Sequence, residues 1–197
     1  MDVFPDSAYG ELFVLGEAFE PRALRVTTVT ASLDAHAITR GEAAPEAPLA
    51  FVRSEGALPL DILGTTWAVL LLVSDDFLRV LTANAFTGWR SYPVHVRAFE
   101  KEVLGYHGLA ITGRSATPDW SRSPVVDRLP FVPGGKPYKT HVGIFITGNL
   151  WDGSDLFLPE GTSLVIVRER VADALRGAGI SNVLLRRLDE FQREWAE

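Results

Sequence analysis

LDILGTTWAVLLLVSDDFLRVLTANAFTGWRSYPV (60–94) and SDLFLPEGTSLVIVRERVADALRGAGISNVLLRRL (154–188) decide the fold, because the second repeats the grammar of the first. They align without a gap at a constant offset of 94. Asp61 falls on Asp155, Leu70 on Leu164, Val73 on Val167 and Leu81 on Leu175, and these are the only four identities in 35 positions. The apolar classes nevertheless recur in step: Ile62 and Leu63 face Leu156 and Phe157, and Phe86 faces Ile180. Each unit reads as an aspartate, two apolar residues, a loop, a strand, a helix and a strand, a possible internal repeat.

Inside the first unit, WAVLLLV (67–73) is a nearly continuous apolar run, the pattern of a strand buried on both faces. A helix is predicted over about 74–84, with Phe77, Leu78, Val80 and Leu81 forming its apolar side. Ser74, at the junction, poses a chemical question. A nucleophile elbow typically needs glycines two residues before and two after the serine, and here those positions hold Leu72 and Asp76. The repeat puts Arg168 opposite Ser74 and Glu169 opposite Asp75. What persists is a carboxylate at a helix start, where it complements the positive end of the macrodipole. Ser74 therefore reads as a helix N-cap.

Strands are also predicted at 11–16, 24–33, 49–54, 89–99, 106–113, 138–148, 163–167 and 182–188, with a second helix over 168–179 and a short terminal helix in DEFQREWAE (189–197). The longest irregular stretch is RSATPDWSRSPVVDRLPFVPGGKP (114–137), which holds five prolines. Loops of that length are uncommon in compact domains and often functional. The fold expected is α+β in a single domain over 1–197, with a mixed or mostly antiparallel sheet and two strand–helix–strand units. An acidic, strand-rich part (1–56) precedes the repeat-containing part (57–197).

The chain has 197 residues, 47% apolar and 22% charged, ordinary values for a globular protein. It has no cysteine, so disulfides and thiolate metal sites are excluded. The formal net charge is −6, and residues 1–56 carry nine acids against four arginines. Such a face either steers a basic partner or serves solubility. No basic patch stands out, so nucleic acid is not an expected partner. The N-terminus lacks a basic n-region, and no apolar run reaches the ~18 residues that cross a bilayer. The expectation is a soluble cytoplasmic protein without membrane contact.

The four histidines are His36, His95, His107 and His141, and no HExxH motif is present. The last three lie in strand-like segments and could converge in space. Without cysteine, a zinc site would need histidines and carboxylates. PGGKPYKTHVG (133–143) lacks phosphate-loop spacing and reads as a turn into a strand. Asp152 and Asp155 are either a carboxylate pair or an Asx turn followed by a strand start. Arg114, Asp119, Trp120 and Arg122 form the most distinctive polar stretch. Trp and Arg lead the residue types of protein-binding hot spots; the alternative is a loop packed on itself. No catalytic residue, cofactor or metal is expected.

The opening D-L-F of SDLFLPEGTSLVIVRERVADALRGAGISNVLL, its helix RERVADAL, the AGISN link and the final strand resemble the closing segment of immunity-protein family eleven of bacterial polymorphic-toxin systems. LDILGTTWAVLLLVSDDFLRVL, followed by YPV, is similar to that family's upstream half. The resemblance covers roughly 60–188, and it departs at Arg168, where relatives often carry Ser or Thr. It implies a small cytoplasmic protein that binds a cognate toxin and neutralises it by stoichiometric contact. It carries no partner-contact residue onto this chain. Two other readings stay open: a small enzyme or ligand-binding protein with a pocket near His107 and His141, and a structural or adaptor subunit.

Overall fold

A computed structural model describes residues 11–30, 33–67, 69–130, 132–146 and 151–193. Its first half holds β1 (Leu12–Glu17), β2 (Arg25–Thr28), α1 (Ala35–Thr39), β3 (Leu49–Glu55), β4 (Ile62–Thr65), β5 (Leu71–Ser74), α2 (Asp75–Ala83), β6 (Trp89–Ala98) and β7 (Lys101–Val103). Its second half holds β8 (Tyr106–Ile111), β9 (Gly113–Ser115), a 3-10 turn (Trp120–Arg122), β10 (Val125–Arg128), β11 (Tyr138–Val142), β12 (Leu156–Pro159), β13 (Val165–Arg168), α3 (Glu169–Gly177), β14 (Val183–Arg187) and β15 (Gln192–Arg193). The class is α+β with mixed sheets.

The two units of the sequence repeat have the same structure. β4, β5, α2 and the start of β6 become β12, β13, α3 and the start of β14 when 94 is added to each boundary. Backbone bonds repeat too. Ser74 N donates to Asp61 O at 2.9 Å and Arg168 N to Asp155 O at 3.0 Å. Phe86 N donates to Leu81 O and Ile180 N to Leu175 O, both at 3.1 Å.

The correspondence extends to a pair of exchanged strands. β8 lies between β5 and β6, with Ser74 opposite Tyr106 and Val73 opposite His107. β1 lies between β13 and β14, with Arg168 opposite Leu12 and Val167 opposite Phe13. Residue 106 minus 94 is 12, so β1 and β8 are the first strands of two tandem repeats. Each inserts into the sheet of the other.

Alternation along these strands explains three cores. In β5, Leu72 points into the core of a closed barrel, while Leu71 and Val73 point out toward α2 and α3. The barrel runs β3-β2-β4-β5-β8-β6, closed by the parallel pair β3–β6. In β13, Val165 and Val167 meet the same two helices, while Ile166 joins a third core with Ile144, Ile146 and Phe157. Both strands are therefore buried on both faces, which is why each reads as an unbroken apolar run. Inside the barrel the Tyr92 ring lies over Gly108, its cross-strand partner. A methyl at 108 would sit 1.9 Å from that ring, so the position requires glycine.

Several expectations are corrected. α1 was not anticipated; Asp34 caps it by accepting from Ala37 N at 3.0 Å. The strand in 67–73 starts only at Leu71, because Leu70 N closes a turn onto Trp67 O at 2.8 Å. In the stretch 138–148 the strand β11 stops at Val142, before Gly143 at φ +79°, and 147–148 lie outside the described residues. The stretch 114–137 is not irregular throughout: it holds most of β9, the 3-10 turn and β10. The terminal helix is not formed at 192–193, which pair with β11 as β15; 194–197 lie outside the described residues. No helix among the described residues is long and apolar enough to cross a membrane.

Candidate functional site

The hydroxyl of Ser74 is fully engaged. It accepts from Phe77 N at 3.1 Å, capping α2, and donates to Asp61 Oδ1 at 2.5 Å. A donor bonded to a carboxylate, with no imidazole on it, is a structural hydroxyl. Asp61 in turn accepts from Ser181 N at 2.8 Å and Ser181 Oγ at 2.6 Å, which ties the first unit to the second. The reciprocal tie joins Asp155 to Thr87, whose N and Oγ1 donate at 2.9 and 3.1 Å. Residues 87 and 181 are again 94 apart. Asp155 is fully buried and also takes a bidentate contact from Arg170, at 2.6 Å through each nitrogen. Burial alone would raise both carboxyls. At Asp61 the Ser181 and Ser74 bonds outweigh it, and at Asp155 the Arg170 and Thr87 bonds do, so both groups titrate below the usual range.

Asp152 is not the partner of Asp155 in an acid–base pair. It accepts from Ser154 N and from Arg114 N, as an Asx turn does. His107 and His141 lie on different sheets, in β8 and β11. His107 Nε2 is 2.7 Å from Asp75 Oδ1, and His141 packs its ring 5.8 Å from that of Trp120. The four residues singled out at 114–122 all have partners within the chain, some near in sequence and some distant. Arg114 is half-buried and bonds the carbonyls of Ile111 (2.7 Å), Gly113 (2.9 Å) and Arg40. Asp119 caps the 3-10 turn through Ser121 N at 3.1 Å. Trp120 packs against the third core, and the Arg122 guanidinium lies 5.0 Å from the Phe145 ring centroid. Beyond them, Leu129 and Val132 stand exposed between β10 and β11.

Strand directions define the two mouths of the barrel. β2, β4 and β8 run one way, and β3, β5 and β6 the other. One mouth is covered by α1, whose Ala35 and Ile38 enter the barrel core. The other collects the starts of β2, β4 and β8 and the ends of β3, β5 and β6. Around it stand the exposed side chains of Leu58, Phe99 and Leu104.

Phe99 carries the strongest signal. It and Glu100 form the two-residue loop between β6 and β7, with Ala98 paired to Lys101. Their φ angles are +51° and +62°, the signature of a type I′ turn, which normally selects Asn-Gly. A bulky residue held at positive φ costs on the order of 1–3 kcal/mol. Burial cannot be the compensation, since Phe99 is 59% exposed. Its ring instead carries the Arg53 guanidinium, 4.4 Å from the centroid. Arg53, Arg22, Pro21, Gly56, Ala57 and Leu58 line an open groove of about 510 Å³ beside it. Gly56 makes the groove wall possible. It sits at φ +65°, and a Cβ there would lie 1.7 Å from Ala23 O.

Sequence reasoning missed this surface because a Phe-Glu turn carries none of the usual turn residues; the only trace is the mismatch itself. A second groove of about 560 Å³ lies between α2 and α3. Its polar groups are engaged with each other: Asp76 pairs with Arg79 at 2.6 Å, and Asn84 donates to Val80 O at 2.9 Å. No protein-family model matches the chain, and no curated protein matches it.

Proposed function

We propose that this chain is an immunity-type protein that binds and neutralises a cognate bacterial toxin by stoichiometric contact, acting in the cytoplasm and without chemistry of its own. The observation that carries the reading is Phe99: an exposed aromatic kept at positive φ, with an arginine stacked on it, at the open mouth of a barrel. Strain that stability does not require is a mark of a functional position. Aromatic and arginine side chains are also the usual anchors of a protein interface. The family resemblance over 60–188 supplies the class of partner.

The test is binding to the product of the adjacent upstream reading frame, measured by calorimetry with Phe99→Gly. Glycine relieves the turn, while the lost cation–π contact is worth about 0.5–1 kcal/mol. The melting temperature therefore stays level or rises. Affinity falls at least tenfold. An affinity within twofold of the wild type removes the barrel mouth from the interface. Alanine at Leu129 and Val132, and separately at Trp120 and Arg122, then locates the contact on the 114–137 side.

One observation favours the enzymatic alternative, the His107–Asp75 pair at 2.7 Å. The pair sits at the same mouth, so His107→Asn separates the readings. A binding protein keeps its protection of cells against the toxin, and an enzyme loses it.

A further inference from the structure

The groove beside Phe99 has a charge pattern that selects its occupant. The chain is acidic overall, and the other arginines of the barrel wall have internal partners. Arg25 pairs with Glu17 and Glu55, Arg40 with Glu42, and Arg97 with Glu100. Arg90 donates to Gly41 O at 2.5 Å. Arg53 differs. Its Nε donates to Gly56 O, its face rests on Phe99, and no carboxylate among the described residues lies within ion-pair distance. Its terminal nitrogens are thus held in a fixed plane and left open. Arg22, which also lines the groove, has a side chain 83% exposed, and its ion pair among the described residues is with Glu20, at 3.9 Å. The rest of the lining is Pro21, Gly56, Ala57 and Leu58, with no charged side chain.

We propose that this groove receives a carboxylate from the partner protein, flanked by a large apolar side chain. It rests on the reading of the barrel mouth as a toxin-binding surface and names the chemistry of what binds. A guanidinium plane presents two parallel N–H donors that match a carboxylate and do not match a neutral amide equally. Stacking on Phe99 holds that plane before binding, so little rotamer freedom remains to be lost on contact. The flanking apolar side chain covers Leu58 and the free edge of the Phe99 ring. Glu20 and Glu55, near the rim, disfavour a partner whose acids lie outside the two arginines. The occupant is therefore a short acidic-apolar segment and not a broad acidic face.

The experiment titrates the isotope-labelled full-length chain with two peptides by NMR, N-acetyl-Leu-Asp-Phe-Glu-amide and its neutral twin N-acetyl-Leu-Asn-Phe-Gln-amide. The acidic peptide is expected to shift the amides of Arg22, Gly56, Leu58 and Phe99. It binds at least fivefold more tightly than the twin, and raising salt from about 50 to about 300 mM narrows that ratio, because the Debye length shortens. Arg53→Gln, which keeps the fold by its amide spectrum, brings the two peptides to equal affinity. Equal binding of both peptides to the wild type, no binding of either, or shifts centred elsewhere overturns the proposal. The toxin reading is scored separately by Phe99→Gly. Acid-selective peptide binding with unchanged toxin affinity keeps the carboxylate groove and discards the toxin as its occupant.

Discussion

Ser74 and its counterpart Arg168 show how one position serves the same scaffold with two chemistries. Ser74 caps its helix and bonds Asp61, whereas Arg168 makes no side-chain cap and lies 4.0 Å from Asp155. The aspartate thirteen residues upstream is the constant feature, and the residue at the helix start adapts to it. Ser74→Ala removes a cap, which costs about 0.5–2 kcal/mol. It also removes a donor from a partly buried carboxylate, so the loss lies at the upper end of that range. Chemical denaturation checks it, with an unchanged m-value marking an intact fold. Partner binding survives, because the Ser74 hydroxyl is occupied by Phe77 N and Asp61. Loss of function in an equally stable variant would return Ser74 to the list of nucleophiles.

At the scale of elements, the exchange of β1 and β8 is the feature with most consequence. Each strand is hydrogen-bonded on both sides to strands of the other repeat. The repeats are therefore interlocked through main-chain bonds, and not only packed face to face. A protease site engineered between Leu104 and Gly105, cut in the folded full-length protein, tests this. Leu104 is 77% exposed, so the site is accessible. The two fragments are expected to co-elute and to keep the circular dichroism of the intact chain. Separation without denaturant would show that the exchanged strands do not hold the halves together. The legibility of elements follows from the same packing. α2, α3 and the strands around them were readable because amphipathic or doubly buried segments impose a clear period. α1 is five residues long, too short to show one. The β6–β7 hairpin hid behind a turn with no turn residues.

For the whole molecule, the two aspartates act as reciprocal ties between the repeats, and their titration sets an acid limit on stability. Both carboxyls titrate lower in the folded state than the value near 3.9 of an unfolded aspartate. Each therefore contributes stability that is fully present above about pH 4–5 and is lost as pH falls through the folded value. The melting temperature is expected to hold from pH 7 to about 5 and then drop steeply. Asp155→Asn leaves Arg170 without its buried partner, lowers the melting temperature at pH 7, and flattens the acid limb. A variant with the full acid limb intact would assign that limb to other carboxylates.

The 94-residue offset, the apolar runs and the cap at Ser74 were set by local physics: side-chain period, burial on two faces, and the unsatisfied amides of a helix start. These terms act between near neighbours, so the chain by itself determined the α+β class and the two matching units. Tertiary structure alone decided what lies between distant segments. It inserted β1 and β8 into each other's sheets, paired Asp61 with Ser181 and Asp155 with Thr87, and closed the barrel through β3 and β6. It also set Arg114 against Arg40, Trp120 against His141 and Arg122 against Phe145, and brought Arg53 onto Phe99 at the open mouth. No spacing rule encodes such meetings, because they depend on which faces remain to be covered once every local element has formed.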